Sequence, residues 1–182
     1  MTMTMTAIYT DRTSSFPIAP ARAAKAVTGD AFRQALSRLA AGVSIVTTTD
    51  HDGHNLGLTA TAVTSVSLDP PLVLVCIDNR SRTVEPLEIG APFVVHFLAA
   101  DQEELARRFA SRIPDKFDGV AYKLTAYGCP RLTGALASVE CVPHAIYPGG
   151  DHTIFIGRVV DVQIDEQGSS PLTYFRNQFL GA

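Results

Sequence analysis

The segment from Leu58 to Thr83 holds the residue types best suited to binding chemistry in this chain of 182 residues. Its first part predicts a strand rich in hydroxyl groups, and a turn at 69–71 then leads to an apolar strand, Leu72 to Ile77. That strand ends in the polar, basic run Asn79 to Thr83. Hydroxyl groups both donate and accept hydrogen bonds, and arginines in a turn attract anions. Together these features suit a planar cofactor that carries a phosphate.

The hydroxyl-rich strand is expected to run without a break from Leu56 to Leu68, so that its side chains alternate between two faces. One face then carries Thr59, Thr61, Ser65 and Ser67, and the other carries Ala60, Ala62, Thr64 and Val66. The hydroxyl face matches the mixed donors and acceptors at the pyrimidine edge of a flavin, and the small alanines allow a flat ring to approach the backbone. The alternative is a strand that faces solvent and uses threonine for its strand propensity.

The run Asn79-Arg80-Ser81-Arg82-Thr83 stands at the start of a helix predicted over 81–89. Free backbone N–H groups and the helix dipole favour an anion at such a position. The hydroxyls of the run add donors, and its two arginines add charge-assisted bonds. The alternative is a capped helix with two solvated arginines.

A tight turn, Gly149-Gly150-Asp151-His152, precedes a predicted strand and places His152 where it can face a ligand. The alternative is a surface or capping histidine. His51 and His54 lie in a predicted hairpin turn without a third ligand close in sequence, so we expect no metal site there. The chain lacks the GxSxG, GxGxxG, P-loop and HExxH patterns, which argues against a hydrolase, a Rossmann dehydrogenase, an NTPase or a zincin.

The composition predicts a single globular domain, with 46% hydrophobic and 18% charged residues. Residues 1–27 lack periodicity and are expected to form a mobile arm, which leaves one domain over 28–182. The net charge of −3 argues against nucleic acid or an anionic membrane as a partner. No segment is long and apolar enough to predict a membrane span. Three cysteines without a CxxC pair suit free thiols in a reducing cytoplasm.

The elements that must position these residues are mostly strands. A helix is predicted at 30–41 with Asp30 as its cap, and another begins at Asp101, ends near 112–114 and turns Leu105, Ala106 and Phe109 inward. Further strands are predicted at 43–49, 93–98, 135–142, 144–147 and 153–164, and the tail 171–179 is either one helical turn or a docked extended segment. Short turns and the lack of βαβ alternation favour an antiparallel barrel with a few helices around it.

Five motifs occur together along the chain: Leu58 to Pro71, Asn79 to Thr83, Phe93 to Gln102, Phe109-Ala110 and Gly150-Asp151-His152. In this order they resemble the short-chain flavin reductases, the small components of two-component flavin-dependent monooxygenases. The resemblance runs from Ala31 to Phe179. It implies a mainly β fold with peripheral helices, namely the FMN-binding split β-barrel (an antiparallel Greek-key barrel), and a homodimer. It also implies that NADH or NADPH reduces FMN or FAD, which then leaves for a separate oxygenase.

The resemblance also assigns roles to single residues. Six would line the ring and ribityl chain of the flavin: Thr59, Ala60, Thr61, Ser65, Val66 and Ser67. Four would hold its phosphate: Asn79, Ser81, Arg82 and Thr83. Four more would have separate roles: Cys76 contributes backbone at the end of its strand, Phe117 lies near the cofactor, His152 positions the nicotinamide, and Tyr174 closes over it.

Such a reaction moves a hydride from nicotinamide C4 to flavin N5 and needs no protein nucleophile. The part of the protein is to stack and align two rings, while polar groups at the pyrimidine edge stabilise the charge that develops there. Two alternatives stay open. One is a flavin-binding oxidase or storage protein on the same barrel, and the other is a barrel that binds another ligand or a protein. The choices between FMN and FAD and between NADH and NADPH also stay open.

Overall fold

The structure is a computed structural model that describes residues 26–166 and 168–181. The strands are β1 (Ala41–Gly42), β2 (Ser44–Thr49), β3 (Asn55–Ala60), β4 (Val63–Leu68), β5 (Pro71–Asp78), β6 (Phe93–Phe97), β7 (Tyr122–Leu124), β8 (Pro130–Leu132), β9 (Ala137–Gly149), β10 (His152–Ile164), β11 (Leu172–Phe175) and β12 (Gln178–Gly181). The helices are α1 (Gly29–Leu36), α2 (Val84–Glu88) and α3 (Glu103–Ala110), with a 3-10 turn at Ala100–Gln102. Among these described helices, none has the length and apolar character needed to cross a membrane. The expected mobile arm, 1–27, lies outside the described residues except for its last two positions.

Seven strands form the main sheet in the order β3-β2-β6-β9-β10-β5-β4, and every neighbouring pair is antiparallel. The two edge strands, β3 and β4, are consecutive in sequence and are joined only by Thr61 and Ala62. Because two extended residues reach only about 7 Å, the sheet curls until its opposite edges meet. The N–H of Cys76 on β5 donates to the carbonyl of Ala62 at 3.0 Å, which holds the joining segment against the sheet. The result is the split barrel with peripheral helices that the motifs predict.

The expected continuous strand from Leu56 to Leu68 is wrong, because the chain breaks between β3 and β4 to turn this corner. Within β4, Ser65 pairs with Val73 and Ser67 pairs with Leu72, so Val66 is an extra residue in a bulge. The predicted alternation of hydroxyls along one face therefore stops at the break and shifts again at the bulge.

Two apolar clusters support the barrel. The first joins residues from the main strands, including Val46, Val75, Phe93 and Phe155. The second joins β2 to α3 and the C-terminal hairpin, and in it the predicted inward residues Ala106 and Phe109 are fully buried. Gly57 on β3 allows the Phe109 ring to lie directly against the strand, because a Cβ at this position would stand 2.5 Å from Cε1 of the ring. This contact fixes α3 over β3, next to the break.

The first helix is shorter than the sequence predicts and has a different cap. α1 ends at Leu36 because the chain soon pairs with β11 as strand β1. Thr28 is its cap, since the Thr28 Oγ1 accepts from the N–H of Ala31 at 3.2 Å. The predicted cap, Asp30, pairs with Arg33 instead.

The other two helices begin later than predicted because side chains organise the turns before them. In front of α2, the hydroxyls of Ser81 and Thr83 bond to each other at 2.7 Å. In front of α3, the side-chain oxygen of Gln102 accepts from the N–H of Ala99 at 3.0 Å, which closes the 3-10 turn at Ala100–Gln102 from which the helix continues.

Two hairpins lie outside the main sheet. β11 and β12 form a three-stranded sheet with β1, so the tail is an extended segment and not a helical turn. β7 and β8 form a hairpin that the sequence did not predict, and β8 lies against β2 and β6. The predicted strands at 135–142 and 144–147 are one strand, β9.

Buried His96 on β6 attaches β8 to the main sheet. Its Nδ1 donates to the carbonyl of Ile45 at 3.0 Å, and its Nε2 accepts from the N–H of Leu132 at 2.9 Å. Burial lowers the pKa of His96 from 6.5 to about 4. The imidazole is therefore neutral at physiological pH, as these two bonds require.

Candidate functional site

Three adjoining cavities share Thr59 in their lining, next to the break between β3 and β4. The central cavity of about 260 Å³ lies at the break and is lined by residues of β3, the joining segment and the end of β5, together with Ser81 and His152. The basic cavity of about 680 Å³ extends from the end of β5 to the loop after α3. The side cavity of about 410 Å³ lies between α3 and the β11–β12 hairpin. The sheet break therefore produces one branched cleft.

The central cavity brings together three of the predicted ring-lining residues, Thr59, Ala60 and Thr61. Cys76, which was predicted to contribute backbone, also lines this cavity. The hydroxyl of Thr59 donates to the carbonyl of Ala106 on α3 at 2.6 Å, so toward a ligand Thr59 offers an acceptor and not a donor. The side chain of Ala60 is part of the apolar core, and it leaves only backbone to the cavity. Thr61 is exposed at the break, where its hydroxyl is available to a ligand.

Three predicted ring-lining residues, Ser65, Val66 and Ser67, are not among the residues that line the three cavities. They lie on β4 beyond the break, where the bulge at Val66 turns the strand. The resemblance assigned them to the flavin, and that assignment stays a prediction.

His152 lies at the central cavity, opposite Asp78 in the β5–β10 register. Its ring is partly exposed, and its Nδ1 lies 2.7 Å from a carboxylate oxygen of Asp151. Asn79 supports this turn and does not line the basic cavity. Its backbone N–H donates to the Asp151 carbonyl at 3.0 Å, and its side-chain oxygen accepts from Thr153 Oγ1 at 2.8 Å. The position of Asn79 therefore favours a role in holding His152 rather than in holding a phosphate.

Four cations line the basic cavity, with Asp78 as the one carboxylate among its described lining residues: Arg80, Arg82, Arg112 and Lys116. Arg80 is paired with Asp78 through two hydrogen bonds of 3.0 and 2.6 Å. These bonds and the Arg80 N–H hold the pKa of the Asp78 carboxyl well below its usual range. Within the described part of the chain, the other three cations have no carboxylate partner. The charges of this cavity are therefore suited to an anion.

Lys116 is the least obvious member of this set. Its ammonium donates to the carbonyls of Gly57 at 3.0 Å and Phe109 at 2.7 Å, which ties the loop after α3 to β3. Partial burial and nearby Arg82 lower its pKa. Lys116 and Arg112 were missed from the sequence because the run after α3 meets β3 across 59 residues. The only signal was two cations in a loop between two predicted elements.

The remaining predicted residues of the phosphate region have mixed positions. Ser81 lines the central and basic cavities. Thr83 is buried, with its hydroxyl bonded to Ser81, and it lines only a small extension of about 50 Å³ beside Lys116 and Phe117. Phe117 is mainly a core residue, since its ring lies edge-to-face against Phe109 at 5.1 Å. It fixes the loop that carries Lys116.

Tyr174 lies in the side cavity, across from Thr59 and Thr61. Its ring contacts that of Phe179 at a centroid distance of 5.2 Å. The hairpin β11–β12 therefore provides an aromatic wall beside the central cavity. At the turn of this hairpin, the N–H of Arg176 donates to the carbonyl of Ser37 at 2.7 Å.

The turn between β2 and β3 brings ligand atoms of Asp50, Asp52 and His54 within 4.8 Å of one another. The Asp50 carboxylate already accepts from the N–H of His54 at 2.8 Å. His51 is not part of this group, and the turn lies apart from the cleft.

The fold and the cleft together define a split-barrel protein with a site suited to flavin. The basic cavity fits a phosphate, since three of its cations lack a carboxylate partner among the described residues. The central cavity fits the polar edge of a flat ring, since the break leaves Thr61 outside the strand ladders, while the carbonyl of Ala62 already accepts from Cys76.

Comparisons with known proteins agree with this class. Residues 36–182 match the family described as flavin reductase like domain. The actinorhodin polyketide dimerase of Streptomyces coelicolor is 41% identical over 147 residues, which are 81% of this chain and 82% of that protein. The reductase subunit of a flavin-dependent monooxygenase from Rhodococcus jostii is 39% identical over 87% of this chain and 80% of its own length. The structure of an NADH:FAD oxidoreductase from Streptomyces globisporus, in complex with NAD and FAD fragments, superposes with a TM-score of 0.79 at 34% identity, over 87% of this chain and 97% of that one.

The chain belongs to the flavin reductase like domain family. The family, the split-barrel fold and the oxidoreductase class that the motifs predict are confirmed. Flavin and nicotinamide are confirmed as the cofactor classes.

Proposed function

We propose that this chain is an NAD(P)H:flavin oxidoreductase that reduces FMN or FAD and supplies the reduced flavin to a separate monooxygenase component. The observation that carries the proposal is that the basic and central cavities adjoin, with Thr59, Asp78 and Ser81 in the lining of both. The shared lining places a cavity suited to an anion beside a slot suited to a flat ring. Relatives support the reaction, since one is the reductase subunit of a flavin-dependent monooxygenase and another is an NADH:FAD oxidoreductase.

The residues of the cleft divide the work of holding the flavin. Arg82, Arg112 and Lys116 would hold the phosphate, because charge-assisted bonds from several donors favour a dianion. Ser81 would add a hydroxyl at the junction of the two cavities. The backbone of the joining segment and the Thr61 hydroxyl would bond to the polar edge of the ring. Bound flavin and nicotinamide supply the redox chemistry themselves.

His152 and Tyr174 are proposed to position the nicotinamide. They stand at the central and side cavities, which share Thr59 and Thr61. A ring that enters between them lies next to the flavin slot. His152 acts here through contact and hydrogen bonding, and its orientation is set by Asp151 on one side and by the Asn79-supported turn on the other.

We also propose that the chain forms a homodimer. No residue of α1 is buried, and its apolar residues Phe32 and Leu36 are 59% and 46% exposed. Leu39, just beyond the helix, is 64% exposed and follows the same helical spacing. A second copy of the chain would cover this face in an isologous contact, as most soluble dimers do. The molar mass in solution, measured by light scattering, tests this proposal, and a monomer of 19.5 kDa would contradict it.

A cytoplasmic location is proposed from the thiols. All three cysteines are free, and burial raises the pKa of both Cys129 and Cys141 to about 12. Free thiols are stable in a reducing compartment.

The experiment that tests the function is the oxidation of NADH and of NADPH, followed by nicotinamide absorbance, with FMN, FAD or no flavin added. Flavin-dependent consumption of either nucleotide is the expected result, and it also reveals both cofactor preferences. Folded protein that binds flavin without consuming either nucleotide would favour a flavin-binding barrel that lacks reductase activity. Folded protein that neither binds flavin nor oxidises a nucleotide would refute the proposal entirely.

A further inference from the structure

The side cavity is the part of the cleft that a flavin in the other two cavities leaves open. It shares Thr59 and Thr61 with the central cavity, so it opens beside the ring on the side where Tyr174 stands. A dinucleotide whose nicotinamide stacks on the flavin must place its remaining half in space that adjoins the ring. The side cavity offers that space, and what lines it therefore bears on the choice between NADH and NADPH.

Among the described residues that line the side cavity, Arg107 is the only one with a charge. Its guanidinium is engaged on two sides. Its Nε donates to Glu103 Oε1 at 2.8 Å, and its Nη2 lies 2.6 Å from the same oxygen. Its carbon atom lies 4.8 Å from the centroid of the Phe179 ring, within the range of a cation–π contact. The cation is thus neutralised by a carboxylate and held against the wall.

The two nicotinamide nucleotides differ only in a phosphate on one ribose. In dinucleotide sites an arginine accommodates this 2′-phosphate, whereas a carboxylate accepts a hydrogen bond from the unmodified 2′-hydroxyl. A phosphate that approached Arg107 would meet the Glu103 carboxylate at contact distance. It would have to break the pair or face the negative charge.

Resting on the proposed function, we propose that Glu103 is a specificity-determining residue that makes the side cavity select NADH over NADPH. Glu103 acts in two ways. It engages the Nε and Nη2 donors of Arg107, which a 2′-phosphate would otherwise use, and it repels the phosphate directly. The pair is solvent-exposed, with side chains 62% and 42% accessible for Arg107 and Glu103. Exposed pairs of this kind contribute little to folding stability, so the pair can be altered without loss of the fold.

The test is the ratio of kcat/KM for NADH to that for NADPH, measured with FMN in excess. Wild-type protein is expected to favour NADH. Glu103→Gln keeps the size of the side chain and removes its charge, so the ratio should fall about tenfold, the effect of roughly one charge pair near a protein surface. The change should lie mainly in the KM for NADPH. Glu103→Gln combined with Arg107→Gln should remove most of the gain, because the gain depends on the freed guanidinium.

Glu104→Gln is the matched control, since Glu104 is the next residue of α3 and is exposed. It removes the same charge from the same helix turn and should leave the ratio unchanged. Equilibrium dialysis of NADP⁺ against the FMN-loaded variants gives a second readout that does not depend on turnover.

The outcomes separate this inference from the proposed function. If NADH is oxidised with FMN but Glu103→Gln leaves the ratio within twofold of the wild type, the assignment of Glu103 is wrong and the reductase stands. Wild-type protein with equal kcat/KM values for NADPH and NADH would also contradict the assignment of Glu103. If neither nucleotide is oxidised, the reductase and the inference fail together.

Discussion

Replacement of Gly57 by alanine tests whether α3 has to lie directly on β3. The new Cβ would stand 2.5 Å from Cε1 and 2.7 Å from Cδ1 of Phe109, and 3.2 Å from the carbonyl oxygen of Val46. Favourable carbon contacts lie at about 3.5–4.0 Å, so the ring has to move by about 1 Å. Phe109 is fully buried, and its ring packs against that of Phe117 at a centroid distance of 5.1 Å, which restricts its movement. Overpacking of this kind lowers the free energy of unfolding by about 1–3 kcal/mol.

The same change should reach the flavin site, because α3 carries groups that close it. Thr59 donates to the Ala106 carbonyl on α3, and Lys116 donates to the carbonyls of Gly57 and Phe109. A displaced helix disturbs all three bonds. We therefore expect Gly57→Ala to weaken FMN binding by about tenfold, which corresponds to about 1.4 kcal/mol of the strain.

Urea denaturation followed by circular dichroism measures the stability, and quenching of flavin fluorescence measures the affinity. Gly42→Ala is the matched control, since Gly42 is also in a strand and a Cβ there meets nothing within 4 Å. We expect it to change the stability by less than about 1 kcal/mol. A double-mutant cycle with Phe109→Leu should show coupling, because the shorter side chain leaves room for the new methyl group. Gly57→Ala protein as stable as the Gly42→Ala protein, with normal FMN affinity, would refute the reasoning.

Three further predictions concern the cleft and the core. Arg82→Gln and Arg112→Gln should each weaken FMN binding by about tenfold or more, the loss of one charge-assisted bond. Riboflavin, which has no phosphate, should bind these variants as it binds the wild type. Arg158→Gln, which changes an exposed arginine on β10, is the control. Equal losses of affinity for riboflavin and FMN would contradict a phosphate site. His152→Ala should raise the KM for the nicotinamide nucleotide more than the Kd for flavin, and steady-state kinetics with an unchanged KM and rate would refute that role. Finally, stability should fall in mild acid through His96, whose pKa is lowered from 6.5 to about 4 in the fold. Below about pH 6.5 the imidazole of His96 binds a proton in the unfolded chain but stays neutral in the folded chain. The contribution of His96 to the free energy of unfolding is therefore largest above that pH. The free energy of unfolding drops by about 2 kcal/mol between about pH 7 and pH 5. Urea titrations at the two pH values measure this drop, and a flat profile would show that the imidazole is protonated in the fold.

Local patterns in the sequence were enough to predict most of the strands. The β-branched run before the turn at 50–54 and the apolar run of β5 both form strands as predicted, because each is buried on at least one face. The hydroxyl-rich segment and the basic run after β5 do meet in one cleft. Their proximity follows from chain connectivity, since β5 returns along β4 and brings its end back to the break.

The errors share one physical cause, which is that partners distant in sequence decide the local outcome. The pattern through Thr61 and Ala62 is still that of a strand, and only the closure of the seven-stranded sheet requires a break there. The helical spacing of α1 continues to Leu39, but the pairing of β1 with β11 ends the helix sooner. Lys116 reaches the site only because the loop after α3 is anchored by Phe117. None of these partners is visible within a short window of sequence.

The break in the sheet explains why the binding chemistry collects at this corner of the molecule. Strand edges leave backbone groups unpaired, and here two edges meet at one joining segment, where a ring with a polar rim can bond to them. Lys116 and Phe117 bring a second loop to the same corner through their contacts with β3 and α3. The chain as a whole carries a net charge of −3, yet the described lining of the basic cavity has four cations and one carboxylate. This local excess directs a phosphate-bearing ligand to the break, so flavin affinity should weaken steeply with added salt in the wild type and less steeply in Arg112→Gln.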